Sequence, residues 1–153
     1  MHNEFSRAYI ADINCENSLL QFAVASVWLT DIEDGSDFGF GYPIVRMNIL
    51  CDTGSSAVYS GAYVVSLQAL KSWIRQTRAA SESLSGAVTL GGWLDEKEVT
   101  FEFSLQHLGS IEASVKFVFE KEEHSYRFQF DQSYLAPALV AAKRFLSERG
   151  EST

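Results

Sequence analysis

The residues best suited to chemistry are Asp52-Thr53-Gly54-Ser55-Ser56, which follow the apolar Ile49-Leu50-Cys51. An aspartate in this setting can share one proton with a second aspartate, so that one acts as base and the other as acid. One copy of the motif occurs, so the second carboxylate would have to come from another chain by dimerisation. A site of that kind also needs an apolar-apolar-Gly segment late in the chain to support its loop. The late apolar segments here, Phe117-Val118-Phe119-Glu120 and Phe128-Gln129-Phe130-Asp131, contain no glycine. Asp-Thr-Gly-Ser is also ordinary turn chemistry, and short motifs often occur by chance. A hairpin turn at Asp52 is therefore the favoured reading.

The remaining reactive residues are scattered. His2, His107 and His124 lack the spacing of a metal site, and no cysteine pair supplements them. Cys15 and Cys51 are expected as free, packed thiols. Gly35, Gly39 and Gly41 precede no strand-to-helix junction, so they form no phosphate-binding fingerprint. Trp28, Trp73 and Trp93 are read as core or rim residues. No catalytic set, metal site or cofactor is expected.

Charge is more informative. The chain has 20 acidic and 12 basic residues in 153, a formal net charge of −8. Phosphate backbones repel such a surface, so nucleic acid is not an expected partner. Two segments concentrate the carboxylates: Asp31, Glu33, Asp34 and Asp37, and then Glu120, Glu122 and Glu123. They read first as solvated turns. If the protein binds a basic protein partner, they are the expected contact surface, because complementary fields speed association.

These residues must be positioned by an α+β scaffold. Val99, Phe101, Phe103 and Leu105 alternate with polar residues, as do Ile111 to Phe119 and Tyr126 to Phe130, so three antiparallel strands are expected. Ser133 is expected to cap a closing helix with Pro137 in its first turn and Gly150 at its end. In the first half, Leu20 to Trp28, Ile44 to Cys51 and Ala57 to Val65 read as strands. Ser66 then caps a helix running to about Ala80. The expected order is β-β-β-α-(β)-β-β-β-α, in antiparallel sheet, with the optional strand at Ala87–Leu90 inside a joint from Ala79 to Glu98. Halves 1–80 and 98–150 are expected to pack as one domain and to be, at most, a weak internal repeat. With no apolar run long enough to span a bilayer and no secretory leader, a cytoplasmic location is expected.

The segments Ser66-Leu67-Gln68-Ala69-Leu70-Lys71-Ser72-Trp73, Val99-Thr100-Phe101-Glu102-Phe103, Gly109 to Val115 and Phe128-Gln129-Phe130-Asp131-Gln132-Ser133-Tyr134-Leu135 resemble the WapI-type immunity proteins and their bacterial relatives. The resemblance spans roughly residues 58–146. It implies a cytoplasmic bacterial protein that neutralises a polymorphic-toxin domain by binding it without catalysis. Such toxins are often nucleases with basic clefts. The family pattern carries no catalytic residues, so none is transferred. The alternatives are an aspartic-protease-like enzyme using Asp52, and a small-ligand module with a pocket between the aromatic sheet face and a helix.

Overall fold

The computed structural model describes residues 7–16, 22–52, 54, 58–106 and 109–152. Eight strands form one antiparallel sheet in chain order: β1 (Ala8–Glu16), β2 (Phe22–Glu33), β3 (Ile44–Asp52), β4 (Val58–Ser66), β5 (Ala87–Leu94), β6 (Lys97–Leu105), β7 (Ser110–Phe119) and β8 (Glu122–Asp131). Helix α1 (Leu67–Ser83) links β4 to β5, and α2 (Leu135–Glu148) follows β8. The chain is thus α+β and antiparallel with two helices, as expected, but its order is four strands and a helix, twice.

Two strand assignments are corrected. β1 was missed because its alternation is broken by a bulge between Tyr9 and Ala11, which leaves Ile10 and Ala11 both buried. The segment taken as a joint is α1's last turn and a full strand, β5, which includes Gly91 and Gly92. Gly92 is there for close approach: a Cβ would come within 2.9 Å of Met47 Cε and 3.3 Å of the Val64 carbonyl oxygen. At this seam Val64 pairs with Trp93, joining the two halves of the sheet.

One face of the sheet is buried except towards the β7–β8 turn, where Phe119 and the start of β8 are exposed. Val27, Met47, Ile49, Val65, Phe101, Phe103, Val115 and Phe117 belong to a single core that also takes in Trp73 and Ile74 of α1 and Ala142 and Phe145 of α2. Burying each large side chain contributes about 1.5–3 kcal/mol. Trp73 meets Phe103 edge-on at 6.3 Å between ring centroids. Beneath α2, between Ile13, Phe103, Phe130 and Leu135, the free space is about 10 Å³. That is barely room for one water, so the alternative of a ligand pocket between the aromatic sheet face and a helix finds no space under α2.

Capping follows the sequence with one change. Ser66 Oγ accepts from Ala69 N at 3.0 Å and starts α1. Ser133 does not cap the second helix: Asp131, whose carboxylate accepts from Ser133 N at 2.8 Å, caps a 3-10 turn, Gln132–Tyr134, that feeds α2, and α2 starts at Tyr134 without a side-chain cap. Arg149 fastens α2's end, donating to the carbonyls of Phe145 and Thr30. No helix of the described residues is long and apolar enough to cross a membrane.

Candidate functional site

Asp52 ends β3 and pairs with Val58 at the start of β4. Its Oδ1 accepts from Gly54 N at 3.0 Å, a side-chain turn that helps reverse the chain. The motif therefore sits at a hairpin connection; Thr53, Ser55 and Ser56 lie outside the described residues, as do His2 and His107. Cys51 is a buried free thiol, and burial pushes it up to about 12. The side chain of Cys15 is likewise outside the described set. Among the described residues no group of three His, Cys, Asp or Glu side chains could hold a metal.

The two acidic segments are more ordered than turns. Asp31 and Glu33 lie on β2 itself, whereas Asp34 precedes and Asp37 lies within a short 3-10 turn, Ser36–Phe38. Asp34 Oδ1 accepts from both the amide and hydroxyl of Ser36, and the amide bond chiefly holds its carboxyl below the usual range. Arg46 on β3 donates to Glu33 and lies 5.3 Å from the centre of the Phe38 ring. Hydrogen bonding to Glu33 raises its pKa above the ordinary value, with further field from Asp31 and Asp37. In the second half, Glu120 is in the β7–β8 turn, and Glu122 and Glu123 begin β8. Lys116 approaches Glu123 at 3.3 Å with both side chains about half exposed, a contact worth little.

Strand register aligns these segments. Arg46 pairs with Val64, Val64 with Trp93, Trp93 with Glu98, Glu98 with Val118, and Val118 with Glu123. Cross-strand partners share a face, so these six residues form one row across β3 to β8 on the side away from the core. The row runs from the Glu33–Arg46 pair to Glu123. It also brings in a third acidic stretch, Asp95, Glu96 and Glu98, which sequence reasoning missed because it had been placed in the joint. The stretches at 31–37, 95–98 and 120–123 hold half of the chain's 20 carboxylates, and all but Glu122, which pairs with Phe119 on the opposite face, belong to the ridge or its turns.

The middle of the ridge is aromatic. In Phe38-Gly39-Phe40-Gly41-Tyr42-Pro43 the alternate rings stack: Phe38 on Phe40 at 6.4 Å and Phe40 on Tyr42 at 5.1 Å. Phe40 also meets Trp93 edge-on at 5.4 Å. Gly35 anchors the loop, because its carbonyl accepts from the amides of both Phe38 and Phe40. Two residues on this outer side, Ile44 and Val64, are 0% and 1% exposed yet belong outside the main core. Arg46 and Trp93, beside Val64 in the row, and the loop packed on Trp93 supply their cover. Tyr42 remains 43% exposed. Beside it opens a cavity of about 410 Å³ lined by Tyr42, Pro43, Ser66, Leu67, Gln68 and Trp93. The alternation of glycine and aromatic residues at 38–42 was the available signal, and it was read only for phosphate binding.

No family model matches the chain, and no curated protein matches it. Among solved structures it is similar to one titled as that of the plant transcriptional regulator PBF-2. The superposition has a TM-score of 0.55, covers 93% of this chain and 81% of that one, and shows 8% identity. At that identity the likeness is one of fold: the sheet and helix arrangement described above recurs in a sequence with almost nothing else in common.

Proposed function

We propose that this protein is a non-catalytic binding module that captures a basic protein partner on the acidic ridge, in the manner of the immunity proteins it resembles. The observation that carries this reading is the row from Arg46 to Glu123, which lines up three acidic stretches around half-buried aromatic residues and the exposed Tyr42. Aromatic anchors inside a charged, solvated rim are the usual anatomy of a protein-binding patch. The carboxylates would speed and orient docking, while Tyr42 and Trp93 would contribute the buried contact. The partner of this reading is a cytoplasmic toxin domain with a basic cleft, such as a nuclease, that the ridge occludes.

This reading expects a neighbouring gene for a large secreted protein with a variable C-terminal domain, and the test is a titration of the chain against that domain. The expected result is a nanomolar or tighter complex that weakens as salt rises. An Asp37→Lys/Glu98→Lys/Glu123→Lys variant should associate more slowly by at least tenfold. No complex at low salt would end the proposal. An enzyme built on Asp52 is the second reading, and it needs a second carboxylate facing the first; the hairpin position of Asp52 supplies none within the described chain.

A further inference from the structure

The sheet ends in two edge strands, β1 and β8, and the fold guards them unequally. β1 carries a bulge between Tyr9 and Ala11, a device that bends an edge away from other strands. β8 pairs with β7 in unbroken register, from Ser110 with Asp131 to Phe119 with Glu122, and it contains no proline. Ile10 and Ile13 of β1 and Leu135 of α2 close the core beside Phe130. Ahead of that point Glu122 to Ser125 and Arg127 are exposed, and Tyr126 is half-buried. The two-residue turn Glu120-Lys121 closes the hairpin on the Phe119–Glu122 pair, and such a closing pair exchanges its own amides and carbonyls. The direction alternates along a strand, so the amides and carbonyls of Glu123, Ser125 and Arg127 turn to the open edge. The side chains of the same three residues share the outer face of the sheet.

We propose that β8 is a dimerisation edge, which pairs antiparallel with β8 of a second copy about a two-fold axis at Ser125. Directly opposed residues share a face, so a two-fold axis between identical antiparallel strands must pass through a residue paired with itself. The choice of that residue then fixes every other pair. With Ser125 on the axis, Glu123 faces Arg127 of the second copy, and Arg127 faces the Glu123 of that copy. His124 meets Tyr126 of the second copy on the core side. An axis at Tyr126 instead sets Glu123 against Gln129 and Arg127 against Ser125. An axis at His124 sets Glu123 against Ser125 and carries Arg127 past the start of the opposite strand. An axis at Glu123 or at Arg127 sets that residue against its own like charge. The Ser125 register alone matches opposite charges, and it does so on both sides of the axis. Arg127 is available for this role, since it has no ion-pair partner among the described residues. Parallel stacking of β8 strands in register would set Glu122 and Glu123 on their own copies, so the charges that suit the closed dimer oppose open-ended assembly.

No partner protein is needed for the test. The whole chain is followed by sedimentation equilibrium from about 5 µM to about 500 µM, a range that suits a small interface. The expected result is a monomer–dimer equilibrium with its midpoint between about 10 and 100 µM and no larger species. Glu123→Arg and Arg127→Glu each place like charges at both symmetric pairs, and each should weaken the dimer at least about tenfold. The double variant Glu123→Arg/Arg127→Glu restores the pairs in reverse order and should return the affinity to within about threefold of native. Ser125→Pro removes an N–H that faces the edge and should leave a folded monomer. If that proline disturbs the hairpin, the charge reversals at exposed positions still carry the test. A chain that stays monomeric throughout, a dimer that neither single reversal weakens, or a double variant no better than the single ones would overturn the proposal.

Discussion

Replacing Gly35 with alanine would set a methyl carbon 2.2 Å from the Tyr42 carbonyl oxygen and 3.3 Å from Phe40 Cβ. Gly35 also sits at φ +87°, where an L side chain costs about 1–2 kcal/mol. The two effects separate because the loop contains its own controls. Gly39 has φ +78° with nothing within 4 Å, so Gly39→Ala carries the backbone cost alone. Gly41 has open space and no positive φ, so Gly41→Ala should be neutral or stabilising by up to about 1 kcal/mol. Overpacking against fixed backbone adds about 1–3 kcal/mol, which puts Gly35→Ala at about 2–5 kcal/mol in total. Urea unfolding measures the series, and in a domain this size each kcal/mol lowers the melting temperature by about 2–4 °C. If the loop detaches before the sheet unfolds, the global loss is smaller, but the Trp93 indole resonance moves because Phe40 leaves its edge. Equal losses for Gly35→Ala and Gly39→Ala, with Trp93 unmoved, would refute the packing of this loop on the ridge.

Thr77 Oγ1 is buried in α1 without a hydrogen-bond partner among the described residues, so Thr77→Val should be neutral or stabilise by about 1–3 kcal/mol in urea; a clear loss would show that the hydroxyl is bonded. Burial raises the Cys51 thiol from 9.0 to about 12, so the folded state disfavours the thiolate. Stability from this group is therefore complete below pH 9 and falls as pH climbs toward 12, and a thiol reagent at pH 8 should label Cys51 no faster than the chain opens. Fast labelling under native conditions would contradict its burial. Asp52→Ala removes a turn hydrogen bond and should cost about 1 kcal/mol with partner binding unchanged. Loss of a peptidase activity in that variant would instead point to a shared-proton aspartate pair.

Much of the scaffold could be read from period-two patterns wherever one sheet face is core and the other is solvent, as in β6 and β7. Reading failed where that condition failed. The bulge in β1 breaks the alternation, and β5 carries two glycines, of which Gly92 lets the half-sheets approach closely at Val64 and Trp93. β8 was legible, although its first four residues, Glu122 to Ser125, are exposed on both faces. The carboxylates at 31–37 and 120–123 were visible as composition, but nothing local says that they share a row. That relation depends on register across six strands, which only the folded sheet sets. The aromatic residues at 38–42 were hidden for a related reason: their partner Trp93 is 51 positions or more away in sequence and was assigned to the joint. The repeat of strands followed by a helix was legible in outline, and β1, together with β5 (expected only as an optional short strand at Ala87–Leu90), completes it as four and four.

The most direct measurement is the affinity of the whole chain for the variable C-terminal domain that the proposed function expects a neighbouring gene to encode, taken at low and at physiological salt, for the native protein and for the Asp37→Lys/Glu98→Lys/Glu123→Lys variant. Binding through the ridge gives a nanomolar complex that weakens with salt, and a variant that loses at least tenfold in association rate and most of that salt dependence. Native and variant chains that bind alike, or a native chain that does not bind at low salt, would contradict it.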